Sequence, residues 1–411
     1  MPSKIALPRA NAVIGQSGGP TAVINQSLVG VVEALKQFKA VKKIYGMRHG
    51  VSGLTKSPPA LVDLGKLTPA RLNAIARSPA AALGSSRDKP DAAYCARILE
   101  SCKAADIRYF FYIGGNDSSD TCRIVSELAA AAGYDLRCFH VPKTVDNDLM
   151  ESDHTPGFPS AGCFVATAFM ADALDNASLP GVKINVVMGR NAGFLTAASA
   201  LARMQGGSKP VPDAGPHLIY VPETPVRIEQ FTQDVQAVYD RLGRCQVAVS
   251  EGVVDKEGRP VIASLATGLD VDAHGNLQLS GTGALGDALA DHIKKTVKTK
   301  SGKAPRVRAD TFGYLQRCWP DPSPVDAKEA RAAGKFAVKL AQQGHASGSV
   351  AIVRVSSKPY KSAFKRIELS AVAAKTRRMP PEFLQGHNNV SQKFIEYCRP
   401  LVGKLPVIER L

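Results

Sequence analysis

Short runs of β-branched residues alternate along this chain with longer amphipathic or alanine-rich stretches. This alternation indicates an α/β protein with a largely parallel sheet, because parallel strands need crossover connections long enough to form helices. The predicted strands are 12–15, 43–47, 108–113, 137–141, 183–188, 217–221, 246–250 and 349–355. The predicted helices are 21–36, 92–104, 119–132, 161–177, 192–204, 226–242, 285–298 and 326–343.

The composition is that of an ordinary globular protein. Its 411 residues are 45% hydrophobic and 21% charged, which disfavours a disordered chain and predicts two or three domains. No apolar stretch approaches the roughly 18 residues of a membrane span, and the first residues lack the apolar segment of an export signal. We therefore expect a soluble cytoplasmic protein.

The charge balance favours an anionic partner. Lysine and arginine number 52 against 36 acidic residues, giving a formal net charge of +16. Such a field attracts nucleic acid and phosphorylated metabolites alike. Aromatic residues make up only 6%, and the most basic stretch, 294–308, contains none. Small anions, or a merely solvated basic face, are therefore favoured over nucleic acid.

Three glycine-rich or polar loops follow predicted strands, where ligands bind in open α/β sheets. The first, GQSGGPT from Gly15, fits both a phosphate-binding loop and an ordinary tight turn. The second, GGNDSSD from Gly114, places Asn116 and Asp117 where hard oxygen ligands suit Mg²⁺ beside a phosphate. A helix cap explains one polar residue of that loop but not the whole cluster.

The third loop, PKTVDND, carries the densest set of reactive groups. Lys143 is suited to pair with a phosphate and Thr144 to donate to one. Asp146 and Asp148 are suited to act as a base and as a metal or water ligand. An Asx-rich turn would explain the aspartates but would leave Lys143 unexplained.

Later segments add cations at further strand ends. Arg190 lies in MGRNAG and Glu251 in SEG, while Arg308, Tyr314 and Arg317 are spaced to hold a phosphate monoester. Singly, each cation is more often a surface ion pair. The Walker A motif is absent, and a GxGxxG at 281–286 is better explained as a helix-entry turn than as a dinucleotide site.

Taken in order, GQSGGPT, GSSR, GGNDS, PKTVDND, MGR, SEG and YLQR resemble the phosphofructokinase family, and most closely its diphosphate-dependent branch. The resemblance runs from Gly15 to Arg317. It implies two Rossmann-like three-layer α/β domains with largely parallel sheets and the active site in the cleft between them. Residues 1–157 with about 316–380 would bind diphosphate and magnesium, and residues 158–315 with about 381–411 the sugar phosphate.

The resemblance also implies roles for individual residues. Asp146 would be the general base for the 1-hydroxyl of fructose 6-phosphate, and Lys143 and Arg190 would stabilise the transferring charge. Arg308 would reach into a neighbouring subunit's site in a homodimer or homotetramer. The residues implied for fructose 6-phosphate are Thr144, Val145, Asp146, Met188, Gly189, Arg190, Glu251, Arg308, Tyr314 and Arg317. Those implied for diphosphate are Gly15, Gly114, Asp117 and Lys143, and those for Mg²⁺ are Asn116 and Asp117.

The choice of phosphoryl donor has a physical basis. ATP-dependent relatives have glycine at the position of Asp117, which leaves room for the α-phosphate, whereas a carboxylate there fills the space and repels it. Asn116 replaces the usual acidic magnesium ligand of the family. Whether Asn116, Asp117, Asp148 or the diphosphate itself holds the metal is therefore open.

Alternative functions also fit the sequence. An ATP-dependent 6-phosphofructokinase is disfavoured by Asp117 and Lys143 together. A kinase for another sugar phosphate, such as sedoheptulose 7-phosphate, is compatible with these loops. A non-catalytic anion-binding or nucleic-acid-binding relative is compatible with the charge of +16 but leaves the PKTVDND residues unexplained. The resemblance favours a reversible, magnesium-dependent reaction of glycolysis or gluconeogenesis.

Overall fold

The computed structural model describes residues 7–265 and 283–409. The chain forms two compact units. The first runs up to Ser160 and resumes with Arg317–Arg377, and the second comprises Ala161–Gln316 and the residues from Arg378 onward. The GxGxxG at 281–286 begins outside the described residues.

Strands of the two units form separate sheets. The order is β11-β10-β5-β4-β1-β2-β3 in the first unit and β7-β8-β6-β9 in the second. Pairing is parallel except at the two edges of the first sheet, β2 with β3 and β10 with β11. The strands are β1 (Ala10–Gln16), β2 (Val41–Met47), β3 (Leu61–Asp63), β4 (Ile107–Gly114), β5 (Arg137–Pro142), β6 (Val182–Val187), β7 (Leu218–Tyr220), β8 (Cys245–Ser250), β9 (Val307–Thr311), β10 (Ser347–Ser357) and β11 (Tyr360–Ile367).

Helices connect most of the strands. They are α1 (Ile24–Lys36), α2 (Val51–Leu54), α3 (Pro69–Arg77), α4 (Ala92–Ala104), α5 (Asn116–Ala131), α6 (Phe158–Ser178), α7 (Phe194–Ala198), α8 (Ile228–Leu242), α9 (Ile262–Leu265), α10 (Ala284–Thr296), α11 (Pro324–Gln342), α12 (Leu369–Val372) and α13 (Gln392–Val402). Short 3₁₀ helices lie at Ser199–Met204, Gly313–Arg317 and Pro381–Phe383.

The sheet of the first unit is covered on both faces. Alternate residues of β4 point to opposite sides: Phe111 packs with α1 and α11, whereas Phe110 packs with α4 and α5. Burial on both faces explains why this strand is a continuous apolar run. The second unit packs α8 and α10 onto one face of its parallel sheet.

The mixed α/β class with largely parallel sheets is confirmed, and each predicted strand overlaps an observed one. The predictions missed the strands β3, β9 and β11 and the helices α2, α3, α9, α12 and α13. Residues 192–204, predicted as one helix, form α7 followed by a 3₁₀ segment. Within the described residues, no helix is both long and apolar enough to span a membrane.

Candidate functional site

The loops after β1, β4 and β5 lie side by side in the first unit, because these three strands are parallel neighbours. Gly18 adopts a φ of 72°, and a Cβ there would stand 2.9 Å from the Lys143 Nζ. At Gly19 a Cβ would collide with the Arg317 guanidinium. Glycine at both positions lets these two cations approach the backbone of the loop closely.

Gly15, predicted to contact diphosphate, lies inside β1. A Cβ there would collide with the side chains of Met47 and Tyr112. Its backbone pairs with Tyr112 of β4. The structure therefore gives Gly15 a packing role, while Gly18 and Gly19 form the loop beyond the strand.

The loop after β4 leads directly into α5, whose first residue is Asn116. The Asn116 side-chain oxygen accepts from the Asp117 amide at 2.9 Å, and its nitrogen donates to the Lys375 carbonyl at 3.2 Å. The Asp117 carboxylate is 49% exposed and lies 3.4 Å from the ammonium of Lys89. Gly114 packs closely against the hydroxyls of Ser17 and Ser118, which hydrogen-bond each other.

The donor set can be tested for its fit to Mg²⁺. No cluster of three or more His, Cys, Asp or Glu side chains able to hold a metal occurs in residues 7–265 and 283–409. Magnesium, however, is commonly held by one or two carboxylates together with substrate phosphates. The accessible Asp117 carboxylate at a helix N-terminus fits that mode, whereas the Asn116 oxygen is already engaged by a backbone amide.

Lys143 is a buried cation. Its side chain is 4% exposed, and its backbone amide donates to the Gly114 carbonyl at 3.0 Å. Burial lowers the pKa of Lys143 to about 8, and the positive charges of Arg317 and Arg87 act in the same direction, against the carboxylates of Asp146 and Asp148. Binding of a polyanion stabilises the charged form of such a desolvated ammonium, because the anion offsets the free-energy cost of burying the positive charge.

Residues 144–149 alternate between partly exposed and buried positions. Thr144, Asp146 and Asp148 are partly exposed, whereas Val145 and Leu149 are buried. The Thr144 hydroxyl accepts from the Asp146 amide at 3.1 Å. Burial raises the pKa of Asp148, an effect that the hydrogen bonds and cations around it only partly offset.

Arg377 holds this loop from outside it and was missed by sequence reasoning. Its guanidinium donates to the Asn147 carbonyl at 2.7 Å and to the Asp153 carbonyl at 3.1 Å. Its backbone amide donates to the Asp148 carbonyl at 2.7 Å. The run KTRR at 375–378 is a basic cluster in the sequence, but nothing local connects it to a loop some 230 residues earlier.

His140 fixes the same corner from within the sheet and was also missed. It donates from Nε2 to the Gly114 carbonyl at 2.8 Å and accepts at Nδ1 from the Ser349 hydroxyl at 2.7 Å. Burial lowers its pKa to about 4, so the ring is neutral at physiological pH and this single-donor assignment is consistent. The Gly114 carbonyl thus receives both His140 and the Lys143 amide.

In the second unit, the loops after β6 and β8 interlock. Gly189 has a φ of 133°, and its amide faces the Glu251 carboxylate at 3.5 Å while its carbonyl accepts from the Ser250 hydroxyl at 2.6 Å. Met188 and Glu251 are 9% and 6% exposed, but the Arg190 side chain is exposed. The structure therefore brings Met188, Gly189, Arg190 and Glu251 together.

Arg308 lies apart from that group within the chain. It pairs in register with Lys183 near the start of β6, whereas Met188 follows the end of that strand. Five residues of strand correspond to roughly 16 Å. Tyr314 is 46% exposed in the 3₁₀ segment, whose buried Gln316 accepts from the Met188 amide at 3.4 Å.

Comparisons with known proteins identify the family of this chain. A family model described as Phosphofructokinase matches residues 11–341. The chain is 53% identical to the pyrophosphate--fructose 6-phosphate 1-phosphotransferase of Rhodospirillum rubrum, over 96% of this chain and 95% of that protein. It is 36% identical to the enzyme of the same name from Xanthomonas campestris, over 97% and 93%.

A solved structure agrees as well. The crystal structure of a pyrophosphate-dependent phosphofructokinase from Nitrosospira multiformis matches with a TM-score of 0.81 and 33% identity, covering 98% of this chain and 94% of that one. Both the sequence match and the structural match extend over nearly the whole chain. The chain therefore belongs to the phosphofructokinase family.

Proposed function

We propose that this protein transfers a phosphoryl group from diphosphate to the 1-hydroxyl of fructose 6-phosphate, giving fructose 1,6-bisphosphate and phosphate, reversibly. The observation that carries the proposal is the buried Lys143 ammonium against Gly18, with Arg317 against Gly19. Two cations at a glycine-rich strand end suit a compact polyanion. The names of the similar proteins from Rhodospirillum and Xanthomonas support the same activity.

In this proposal the first unit supplies the donor site. Lys143, the backbone at Gly114 and the α5 N-terminus bind diphosphate. Asp117 would hold Mg²⁺ together with the diphosphate, and the ion would supply positive charge for the phosphates. Asp117 also disfavours ATP, since its carboxylate lies where an α-phosphate would bring a like charge.

Asp146 accepts the proton of the attacking hydroxyl. The Thr144 hydroxyl accepts from the Asp146 amide, and Arg377 donates to the carbonyls of Asn147 and Asp148, so the carboxylate is presented by a fixed backbone. Positioning of this kind is the main work of a phosphoryl-transfer enzyme. Because Val145 is buried, we assign it a backbone contact with the sugar phosphate.

The second unit supplies residues for the acceptor. Met188, Gly189 and Glu251 bind the sugar hydroxyls, and Arg190 with Tyr314 binds the phosphate. The contacts of Thr144 and Arg317 with the sugar phosphate stay predictions. Arg308 serves the site of a neighbouring subunit, because in its own chain it lies far from Met188. A homodimer or homotetramer and a cytoplasmic location stay predictions.

The test measures the phosphorylated substrates and products directly. Purified protein, Mg²⁺, diphosphate and fructose 6-phosphate are monitored by ³¹P NMR, with sedoheptulose 7-phosphate as a second acceptor. We expect diphosphate to be consumed and one phosphate to appear for each fructose 1,6-bisphosphate. Faster turnover of sedoheptulose 7-phosphate would transfer the proposal to that acceptor, and no turnover of either would refute it.

A further inference from the structure

A cavity of about 440 Å³ lies beside α11 and β11 in the first unit. Val325 and Ala332 of α11 and Phe364 of β11 give it an apolar lining. A volume of this size suits a small organic molecule. None of these residues belongs to the loops assigned to the substrates.

Two ammonium groups also line the cavity. Lys328 of α11 and Lys361 of β11 are exposed, and within residues 7–265 and 283–409 neither forms an ion pair. The hydroxyls of Tyr360 and Ser362 form part of the same wall. An apolar surface beside two cations and two hydroxyls is complementary to an anion that carries an apolar body.

Glu329, whose carboxylate is buried, also lines the cavity and joins it to an ionic network. Tyr360 donates to Glu329 Oε1 at 2.7 Å, and Ser362 donates to the same oxygen. Glu329 Oε2 pairs with His154 Nε2 at 2.7 Å, and His154 Nδ1 pairs with Asp153 at 2.8 Å. Burial disfavours a charged His154, but these two carboxylates outweigh it and raise the pKa of His154, which favours the imidazolium form between two anions.

His154 lies on the segment that supports the PKTVDND loop. Its neighbour Thr155 donates from Oγ1 to the Thr144 carbonyl at 2.8 Å, and the Thr155 amide donates to Asn147 Oδ1 at 3.0 Å. Hydrogen bonds from the cavity wall to His154, followed by the peptide bond from His154 to Thr155, therefore connect the cavity to the Thr144 carbonyl and the Asn147 side chain, on either side of Asp146.

We propose that this cavity binds a small organic anion with an apolar body, such as an aryl or alkyl phosphate, and that its occupancy alters the position of residues 144–147. The anion pairs with Lys328 and Lys361 and accepts from Tyr360 and Ser362. Those hydroxyls are then withdrawn from Glu329, which changes how the carboxylate holds His154. The binding half is independent of the proposed function, and only the kinetic half depends on it.

Binding is tested with 4-fluorophenyl phosphate, followed by ¹⁹F NMR on the full-length protein at saturating fructose 6-phosphate. The cavity variant is Lys328→Ala with Lys361→Ala. The matched control is Lys39→Ala with Lys339→Ala, which removes the same charge from exposed positions outside the cavity. We expect the cavity variant, but not the control, to bind 4-fluorophenyl phosphate at least tenfold more weakly than the wild type does. Each of the three proteins should bind the uncharged 4-fluorobenzyl alcohol more weakly than it binds the phosphate.

Equal affinity in the wild type and both variants, or no binding at millimolar probe, would overturn the site. Binding of the alcohol as tight as that of the phosphate would overturn its anion selectivity. At saturating substrates the bound probe should lower kcat at least twofold in the wild type and control only. Binding without that change would overturn the coupling to the loop, whereas absence of turnover in every protein would refute the proposed function and leave the binding result standing.

Discussion

In the proposed function the loop clusters of the two units both recognise a phosphorylated ligand, but they are built differently. In the first unit Lys143 is 4% exposed, and its loop is fixed by Arg377 and His140. In the second unit the loop backbones interlock, but the cation Arg190 and the ring of Tyr314 are exposed. Buried, preorganised charge acts on the transition state, whereas exposed cations contribute mainly to binding.

This contrast predicts that substitutions in the first unit reduce kcat and that substitutions in the second raise KM. The largest effect is expected for Asp146→Asn. Loss of the base should reduce kcat by about 10²–10⁴-fold, with fructose 6-phosphate binding retained because the amide keeps the shape of the carboxylate. Steady-state kinetics and equilibrium binding of the sugar phosphate measure the two effects.

Asp291→Asn is the matched control, because Asp291 lies on α10 in an exposed ion pair with Lys294, outside the proposed site. It should leave kcat unchanged. Near-normal turnover of Asp146→Asn would remove Asp146 from the role of base.

Lys143→Met comes next. Removing one preorganised charge donor should reduce kcat by about 10²–10³-fold. The wild type should also lose kcat/KM for diphosphate as pH rises through about 8, since deprotonation above the lowered pKa of Lys143 removes its positive charge. Measurement of kcat/KM over a series of pH values follows this decrease, the alkaline limb of the pH profile.

The alkaline limb should be missing in Lys143→Met and intact in Lys103→Met, which removes an exposed lysine on α4. The same limb in Lys143→Met would assign the titration to another group.

Arg190→Ala tests the other half of the comparison. Because the Arg190 side chain is exposed, its loss should raise KM for fructose 6-phosphate about tenfold while changing kcat little. Initial rates over a range of sugar phosphate separate the two constants. Arg241→Ala, an exposed arginine on α8, should change neither. An equal fall in kcat would place Arg190 in the transition state and break the contrast.

The smallest effect is expected for Asp117→Gly. Asp117→Gly also removes the carboxylate assigned to Mg²⁺, so the quantity compared is the ratio of the ATP-dependent rate to the diphosphate-dependent rate at saturating Mg²⁺. Relief of a like-charge contact of about 1 kcal/mol, the value for charges about 4 Å apart in water, should raise that ratio about fivefold, since Asp117 is half exposed. Coupled assays with ATP and with diphosphate measure the ratio. Lys89→Ala removes the partner of Asp117 but keeps the carboxylate, so it should not admit ATP. No gain in Asp117→Gly would mean that another wall of the site sets donor choice.

The sequence predicted the elements whose signal is local. The buried strands β1, β4, β5, β6 and β8 are apolar runs followed by glycine or polar loops, so both the strands and the loop residues at their ends were found. Strands β9 (VRADT) and β11 (YKSAFKRI) were missed because each is polar. Each is held in the sheet by backbone pairing, β9 with β6 and β11 with β10.

The supporting residues of the site were not predictable in the same way. Arg377 and His140 act through the carbonyls of Asn147 and Gly114, which are far away in sequence or on another strand. Their function arises from the tertiary fold, which no local pattern encodes. Gly15 shows a different case, since the packing of Met47 and Tyr112 requires a glycine there whether or not its backbone contacts diphosphate, and that contact stays a prediction.

The most direct test of the account is the donor preference of the wild-type enzyme. Formation of fructose 1,6-bisphosphate from fructose 6-phosphate and Mg²⁺ is measured in parallel with diphosphate and with ATP over a range of concentrations. The buried Lys143 beside Gly18, with Asp117 at the start of α5, predicts that kcat/KM for diphosphate exceeds that for ATP by at least two orders of magnitude, about 2.7 kcal/mol. Equal or greater kcat/KM with ATP would contradict the account.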